Sequence, residues 1–126
     1  MCETTQNAET ALPDDVTAAR QARAFVRATL CARHDHDRLD RALLLVSELT
    51  VNAVEHGRPP VSASLDFRGE LLRIQVTDGS PQRPVHRAVL TSAENGRGVA
   101  LVDALSARWG VRPTGSGKTV WCDVTV

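Results

Sequence analysis

Aromatic side chains are nearly absent from this chain. Among 126 residues there are two Phe, two Trp and no Tyr. That leaves little with which to stack nucleic-acid bases, and any core must be built from Leu, Val and Ala. Neither sign of charge is in excess, because 15 Lys and Arg balance 15 Asp and Glu. The basic footprint of a nucleic-acid binder is therefore missing. No apolar run approaches the roughly 18 residues of a membrane span, and the polar, acidic N-terminus has no secretory pattern. Cysteine is scarce and odd in number: Cys2, Cys31 and Cys122, with no C-x-x-C spacing. This excludes a disulfide framework or a zinc site. Free thiols fit a reducing, cytoplasmic setting, with Cys31 and Cys122 as small packing residues. What remains is ordinary for a globular protein, 42% hydrophobic and 24% charged, at a length that suits one domain.

The first nine residues are polar and small, and are expected to form a flexible segment ahead of a domain spanning 10–126. Glu9 to Leu12 predicts a short edge strand. Pro13-Asp14-Asp15 predicts a helix start, with acids at its positive end. Val16, Ala19, Ala22, Val26 and Leu30 supply a helical stripe toward about Arg33. A second helix is predicted from Asp37 or Arg38, with Leu39, Ala42, Leu43, Val46, Leu49 and Ala53 as its apolar positions. Gly57 and Pro59-Pro60 stop it. The period then changes to two. Val61, Ala63, Leu65 and Phe67 alternate with polar residues, Arg68-Gly69-Glu70 turns the chain, and Leu72, Ile74 and Val76 return it. Residues 79 to about 96 have turn chemistry, at a length typical of functional loops. A helix from Gly98 to Leu105, a strand from Trp109 to Arg112, a glycine-rich turn and a final strand from Thr119 to Val126 complete the order. The fold class expected is α+β: a two-layer sandwich with a mixed, mostly antiparallel sheet covered on one face by about three helices.

The most informative stretch is Ser47 to Gly57. Glu48, Asn52 and His56 recur every four residues and so share one face of a helix. A carboxylate there can accept a proton from a nucleophile, and an amide oxygen can ligate a hard cation such as Mg²⁺. A bland reading stands beside each: a solvated Glu, a capping Asn, a helix-end His bonded to carbonyls. Gly115-Ser116-Gly117-Lys118-Thr119 invites a phosphate-loop reading, which fails on two counts. The glycine required five positions before Gly117 is Arg112. Residues 120–126 read as a strand rather than a helix whose N-terminus could hold phosphates. His34 and His36 lack a third metal ligand at suitable spacing.

Four pieces then fall in order: Glu48 to Gly57; Val76-Thr77-Asp78-Gly79-Ser80-Pro81; Gly96-Arg97-Gly98-Val99-Ala100-Leu101-Val102; and Trp109-Gly110 with Gly117-Lys118-Thr119-Val120-Trp121. From about Leu12 to Val126 this order resembles the nucleotide-binding domain of the GHKL superfamily, which includes gyrase and histidine kinases. More closely, it resembles the stand-alone anti-sigma-factor serine/threonine kinases and their actinobacterial relatives.

The resemblance implies ATP and Mg²⁺ as cofactors. It implies Glu48 as the catalytic residue that orients or deprotonates the attacking hydroxyl, and Asn52 as the metal ligand. His56 would line the phosphate side, and Asp78 would accept a hydrogen bond from the adenine amine, which favours ATP over GTP. Gly79 and Lys118 belong to the implied nucleotide site, with Thr119 near the adenine. Gly96, Arg97, Gly98 and Val99 would meet the phosphates where a helix begins. Implied partners are an antagonist protein of the anti-anti-sigma kind, a sigma factor, and a second copy of the chain, with no nucleic acid and no membrane. The first glycine box departs from the superfamily's Asp-x-Gly-x-Gly, since Ser80 and Gln82 stand at the glycine positions. That departure motivates an alternative: a non-catalytic, partner-sequestering module with weak or no turnover. A detached sensor-kinase ATPase domain is a third class, and it would transfer to a histidine.

Overall fold

The computed structural model describes residues 7–30, 36–80 and 105–125. The expected helix from Gly98, the loop before it, and Gly96, Arg97, Gly98 and Val99 lie outside the described residues, apart from Leu105 at that helix's end. Within them the order is β1 (Ala8–Leu12), α1 (Ala18–Thr29), α2 (His36–His56), β2 (Val61–Arg68), β3 (Leu71–Asp78), β4 (Arg108–Pro113) and β5 (Lys118–Thr125). The strands form one sheet in the order β1-β2-β3-β5-β4, and every described pairing is antiparallel. This is the α+β sandwich expected, with two described helices on one face.

The first helix starts later than Pro13 suggests. The Asp15 carboxylate accepts both the Thr17 N–H at 2.8 Å and the Thr17 hydroxyl at 2.6 Å. This local turn competes with helix for the same residues. It also leaves Val16 outside the apolar stripe and 97% exposed. The buried positions of α1 are Ala18, Ala22 and Val26, small enough for close approach to α2. The strand β1 begins at Ala8, two residues before the expected domain start, and the Asn7 amide oxygen accepts the Phe67 N–H at 3.2 Å.

The second helix buries Ala42, Leu43, Leu45, Val46, Leu49 and Ala53 against the sheet and α1. Val61, Ala63, Leu65, Leu72, Ile74, Val76, Val120, Cys122 and Val124 meet them from the sheet. Burying each Leu or Ile side chain contributes about 1.5–3 kcal/mol. Gly69 makes the β2–β3 turn at φ +65°, a backbone conformation that only glycine adopts at little cost. The Gly115-Gly117 stretch is a hairpin turn: Thr114 N–H donates to the Gly117 carbonyl at 2.9 Å, and β5 follows directly.

The opposite face of the sheet is polar but not simply wet. Asp123, 1% exposed, receives Arg73 Nε at 2.7 Å, Arg73 Nη2 at 3.0 Å and Arg108 Nε at 2.9 Å. Trp121 lies beneath both cations, its ring centroid 4.1 Å from the Arg73 guanidinium carbon and 5.9 Å from that of Arg108. Gly110 lies opposite Trp121 in the register, where a Cβ would stand 2.9 Å from the indole ring. Gln75 bridges Asp66 and Arg112, at 3.0 Å each.

Candidate functional site

The polar row survives on α2. Glu48 and Asn52 are half-buried and His56 is exposed, while Leu45, Leu49 and Ala53 on the same helix go into the core. Three helical positions spaced by four thus present a carboxylate, an amide and an imidazole along one side, as the period requires. His56 Nε2 lies 3.7 Å from a Glu55 carboxylate oxygen, between two side chains that are each close to half exposed. The helix stops where the sequence predicts, with Gly57 N–H donating to the Ala53 carbonyl at 2.9 Å.

The end of β3 meets the end of α2. A Cβ at Gly57 would strike the Asp78 carboxylate, and a Cβ at Gly117 would strike the Asp78 carbonyl. Gly79 approaches the Arg58-Pro59 backbone just as closely, its N–H donating to the Arg58 carbonyl at 2.6 Å. Three glycines therefore permit the helix end, the strand end and the start of β5 to converge on one aspartate. Asp78 is 3% exposed. Its Oδ1 accepts the Ser80 N–H at 2.7 Å, and Lys118 Nζ lies 3.0 Å from each of its carboxylate oxygens.

The two residues expected at the start of the last strand part company. In the register Asp78 stands opposite Lys118 and Thr77 opposite Thr119. Side chains alternate along a strand. Lys118 is therefore on the Asp78 side, in phase with Val120, Cys122 and Val124. Thr119 points to the other face, where its hydroxyl is 2.7 Å from that of Thr77. Thr119 does not reach the Asp78 carboxylate; Lys118 does. The signal was present in the sequence, since the apolar alternation of Val120, Cys122 and Val124 assigns position 118 to the core side.

The structure thus brings together the end of α2, Asp78, Gly79 and Lys118, with Gly57 and Ser80 as residues that sequence reasoning gave no role at this corner. A half-buried amide at the helix surface and a carboxylate at the neighbouring strand end are the donor set that a magnesium nucleotide requires, a hard oxygen for the cation and an acceptor for an exocyclic amine. The residues present fit such a group. Among the described residues no cluster of three or more His, Cys, Asp and Glu side chains is arranged to hold a metal ion by itself. Among the described residues no helix is long and apolar enough to cross a membrane.

A concavity of about 200 Å³ lies between α1 and α2, lined by Val16, Ala19, Thr50, Val51, Val54 and two acids. Thr50 Oγ1 is buried there without a hydrogen-bond partner among the described residues. On β5, burial of Cys122 first and the Asp123 charge second push its thiol up to about 12, which leaves it unreactive at neutral pH.

Comparison with known proteins agrees with this geometry. Residues 12–123 match the family described as the histidine kinase-like ATPase domain. Among solved structures the chain is similar to the RsbU and RsbW domains of Rv1364c from Mycobacterium tuberculosis, with a TM-score of 0.70 and 23% identity over 96% of this chain and 32% of that one. It is also similar to the Acinetobacter baumannii histidine kinase AdeS, with a TM-score of 0.56 and 13% identity over 94% of this chain and 67% of that one. The chain thus spans about a third of the solved Mycobacterium chain, and likeness at these identities concerns the fold alone. None of the curated proteins compared with it matches.

Proposed function

Because the chain belongs to the histidine kinase-like ATPase domain family, we propose that it is an ATP-binding regulator that phosphorylates a Ser or Thr of a small antagonist protein and thereby controls a sigma factor. The observation that carries this reading is the convergence at Asp78, where Gly57 lets the end of the α2 polar row close directly on the strand-end carboxylate. Similarity to a Mycobacterium protein that contains an RsbW domain supports the regulatory direction of the proposal.

In this reading Asn52 holds Mg²⁺ through its amide oxygen, and Asp78 accepts the exocyclic amine of the base. Magnesium ATP supplies a γ-phosphoryl group, whose bond to the β-phosphate oxygen breaks as a bond to the substrate hydroxyl forms. Glu48 stands two helical turns before His56 and accepts the proton that the hydroxyl gives up. His56, at the exposed end of α2, lines the phosphate side. Gly96, Arg97, Gly98 and Val99, which lie outside the described residues, would serve the phosphates in this reading, and neutralising developing charge is the main demand of phosphoryl transfer. The antagonist protein or a second copy meets the α1 side, where Val16 stands exposed beside the groove.

The test is transfer from γ-labelled ATP to a candidate antagonist protein. Label on Ser or Thr that is lost in Glu48→Ala supports the kinase. An acid-labile product indicates transfer to histidine and contradicts it. One observation favours the second reading, a partner-binding module with weak or no turnover: the Asp78 carboxylate is already held by Lys118. Partner binding indifferent to both ATP and Glu48→Ala would decide for the module.

A further inference from the structure

The corner where α2, β3 and β5 converge contains a cation that a base-reading aspartate does not require. Lys118 Nζ contacts both oxygens of Asp78 at 3.0 Å, and the two side chains are 9% and 3% exposed. The Ser80 N–H takes a further position on Oδ1 at 2.7 Å. A carboxylate offers about four acceptor positions, and these contacts engage three of them. The pairing is built into the backbone. Asp78 and Lys118 stand opposite each other in an antiparallel ladder, and strand alternation sends both side chains to the helix-covered side. Gly57 and Gly117 close on Asp78 from two other directions, with no room for even a methyl group.

A base amine that approaches Asp78 therefore meets an occupied carboxylate. A neutral N–H donor forms a weaker bond to a carboxylate than an ammonium does, because the latter is charge-assisted. We infer that Lys118 is a competitor for the base position: its ammonium holds Asp78 in the free protein, a nucleotide base must displace it, and the side chain at position 118 sets both the affinity for the base and its selectivity. This rests on the nucleotide-binding reading above. Lys118 acts through Asp78 and is in that sense a positioning residue.

Selectivity supplies the discriminating readout. Asp78 favours a base with an exocyclic amine only when its carboxylate is available. With Lys118 in place, a 6-oxo base is not penalised, since its oxygen can accept from the ammonium. Removing the ammonium strengthens binding of ATP and leaves inosine triphosphate without gain. The experiment is calorimetric titration of the full chain with magnesium ATP and, separately, magnesium inosine triphosphate, at one fixed pH. Wild type is compared with Lys118→Thr, which replaces the ammonium by a neutral hydroxyl, and Lys118→Met, which keeps the aliphatic stem. Thermal melts establish folding first, and Lys118→Gln replaces either variant that does not fold. The expected result is a gain of at least about tenfold in ATP affinity over wild type, the free-energy equivalent of one charge-assisted bond, with inosine triphosphate unchanged or weakened. Equal ATP affinity in wild type and variants, or a gain shared by both nucleotides, overturns the competitor and leaves nucleotide binding standing. Absence of binding by wild type and every variant overturns the nucleotide reading, and the competitor with it.

Discussion

Replacing Asp123 by Ala removes the carboxylate that Arg73 and Arg108 share on the sheet face opposite the described helices. The magnitude follows from the difference between its two partners. The Arg73 side chain is 11% exposed and donates twice to Asp123; that of Arg108 is 66% exposed and donates once. Deleting one partner of a buried pair costs about 3–5 kcal/mol, because the other charge is left without compensation. An exposed pair is worth about 0–1 kcal/mol. Asp123→Ala is therefore expected to lose about 3–5 kcal/mol and Arg108→Ala about 1 kcal/mol or less. A domain of this size shifts its Tm by about 3–5 °C per kcal/mol, so Asp123→Ala should melt roughly 10–20 °C lower. The hydrogen bonds from Arg73, and then the one from Arg108, hold the Asp123 carboxyl below its ordinary range. A carboxyl lowered in the folded state contributes stability that is present above its unfolded value of about 3.9 and is lost as pH falls through the folded value. Urea titrations of wild type between neutral pH and pH 3 should show that acid loss, and Asp123→Ala should show a flatter acid limb. Equal costs for Asp123→Ala and Arg108→Ala, or identical acid limbs, would refute this account of the buried cluster.

Thr50→Val should stabilise the chain by about 1 kcal/mol in urea denaturation, because the Thr50 hydroxyl is buried without a partner and the isosteric methyl avoids its desolvation; a loss of stability would show that the hydroxyl is satisfied. Cys122 should resist a thiol reagent at pH 8 in the folded chain and react on unfolding, given a thiol pushed up to about 12 and no exposure; rapid labelling of Cys122 itself in the native protein, located by peptide mapping, would contradict the packing of β5 against α2.

Periodicity made α2 and the β2–β3 hairpin legible, because Leu45, Leu49 and Ala53 recur at helical spacing and Val61 to Phe67 at a spacing of two. The Gly57 stop and the Gly69 turn were equally visible, each a position where a side chain is excluded by contact or by φ. The strand order was not legible, since antiparallel pairing of β5 with β3 depends on contacts between residues 40 to 54 positions apart, from Asp78 with Lys118 to Leu71 with Thr125. The late start of α1 came from an Asp15–Thr17 turn that outcompetes the helix over three residues. At the site, the α2 row and Asp78 stood out by residue type and order. The partner of Asp78 did not, because the motif drew attention to Thr119 while the ladder register places Lys118 on that face.

The central claim is that the α2 polar row and Asp78 together bind a magnesium nucleotide. Titration of wild type and Asn52→Ala with ATP, with and without Mg²⁺, tests it most directly, since Asn52 is half-buried at the helix surface and its replacement leaves the core intact. The account predicts measurable binding of magnesium ATP to wild type, weakened at least about tenfold by Asn52→Ala, with little difference between the two proteins when Mg²⁺ is absent. No binding to wild type, or indistinguishable magnesium-dependent binding by both, would contradict it.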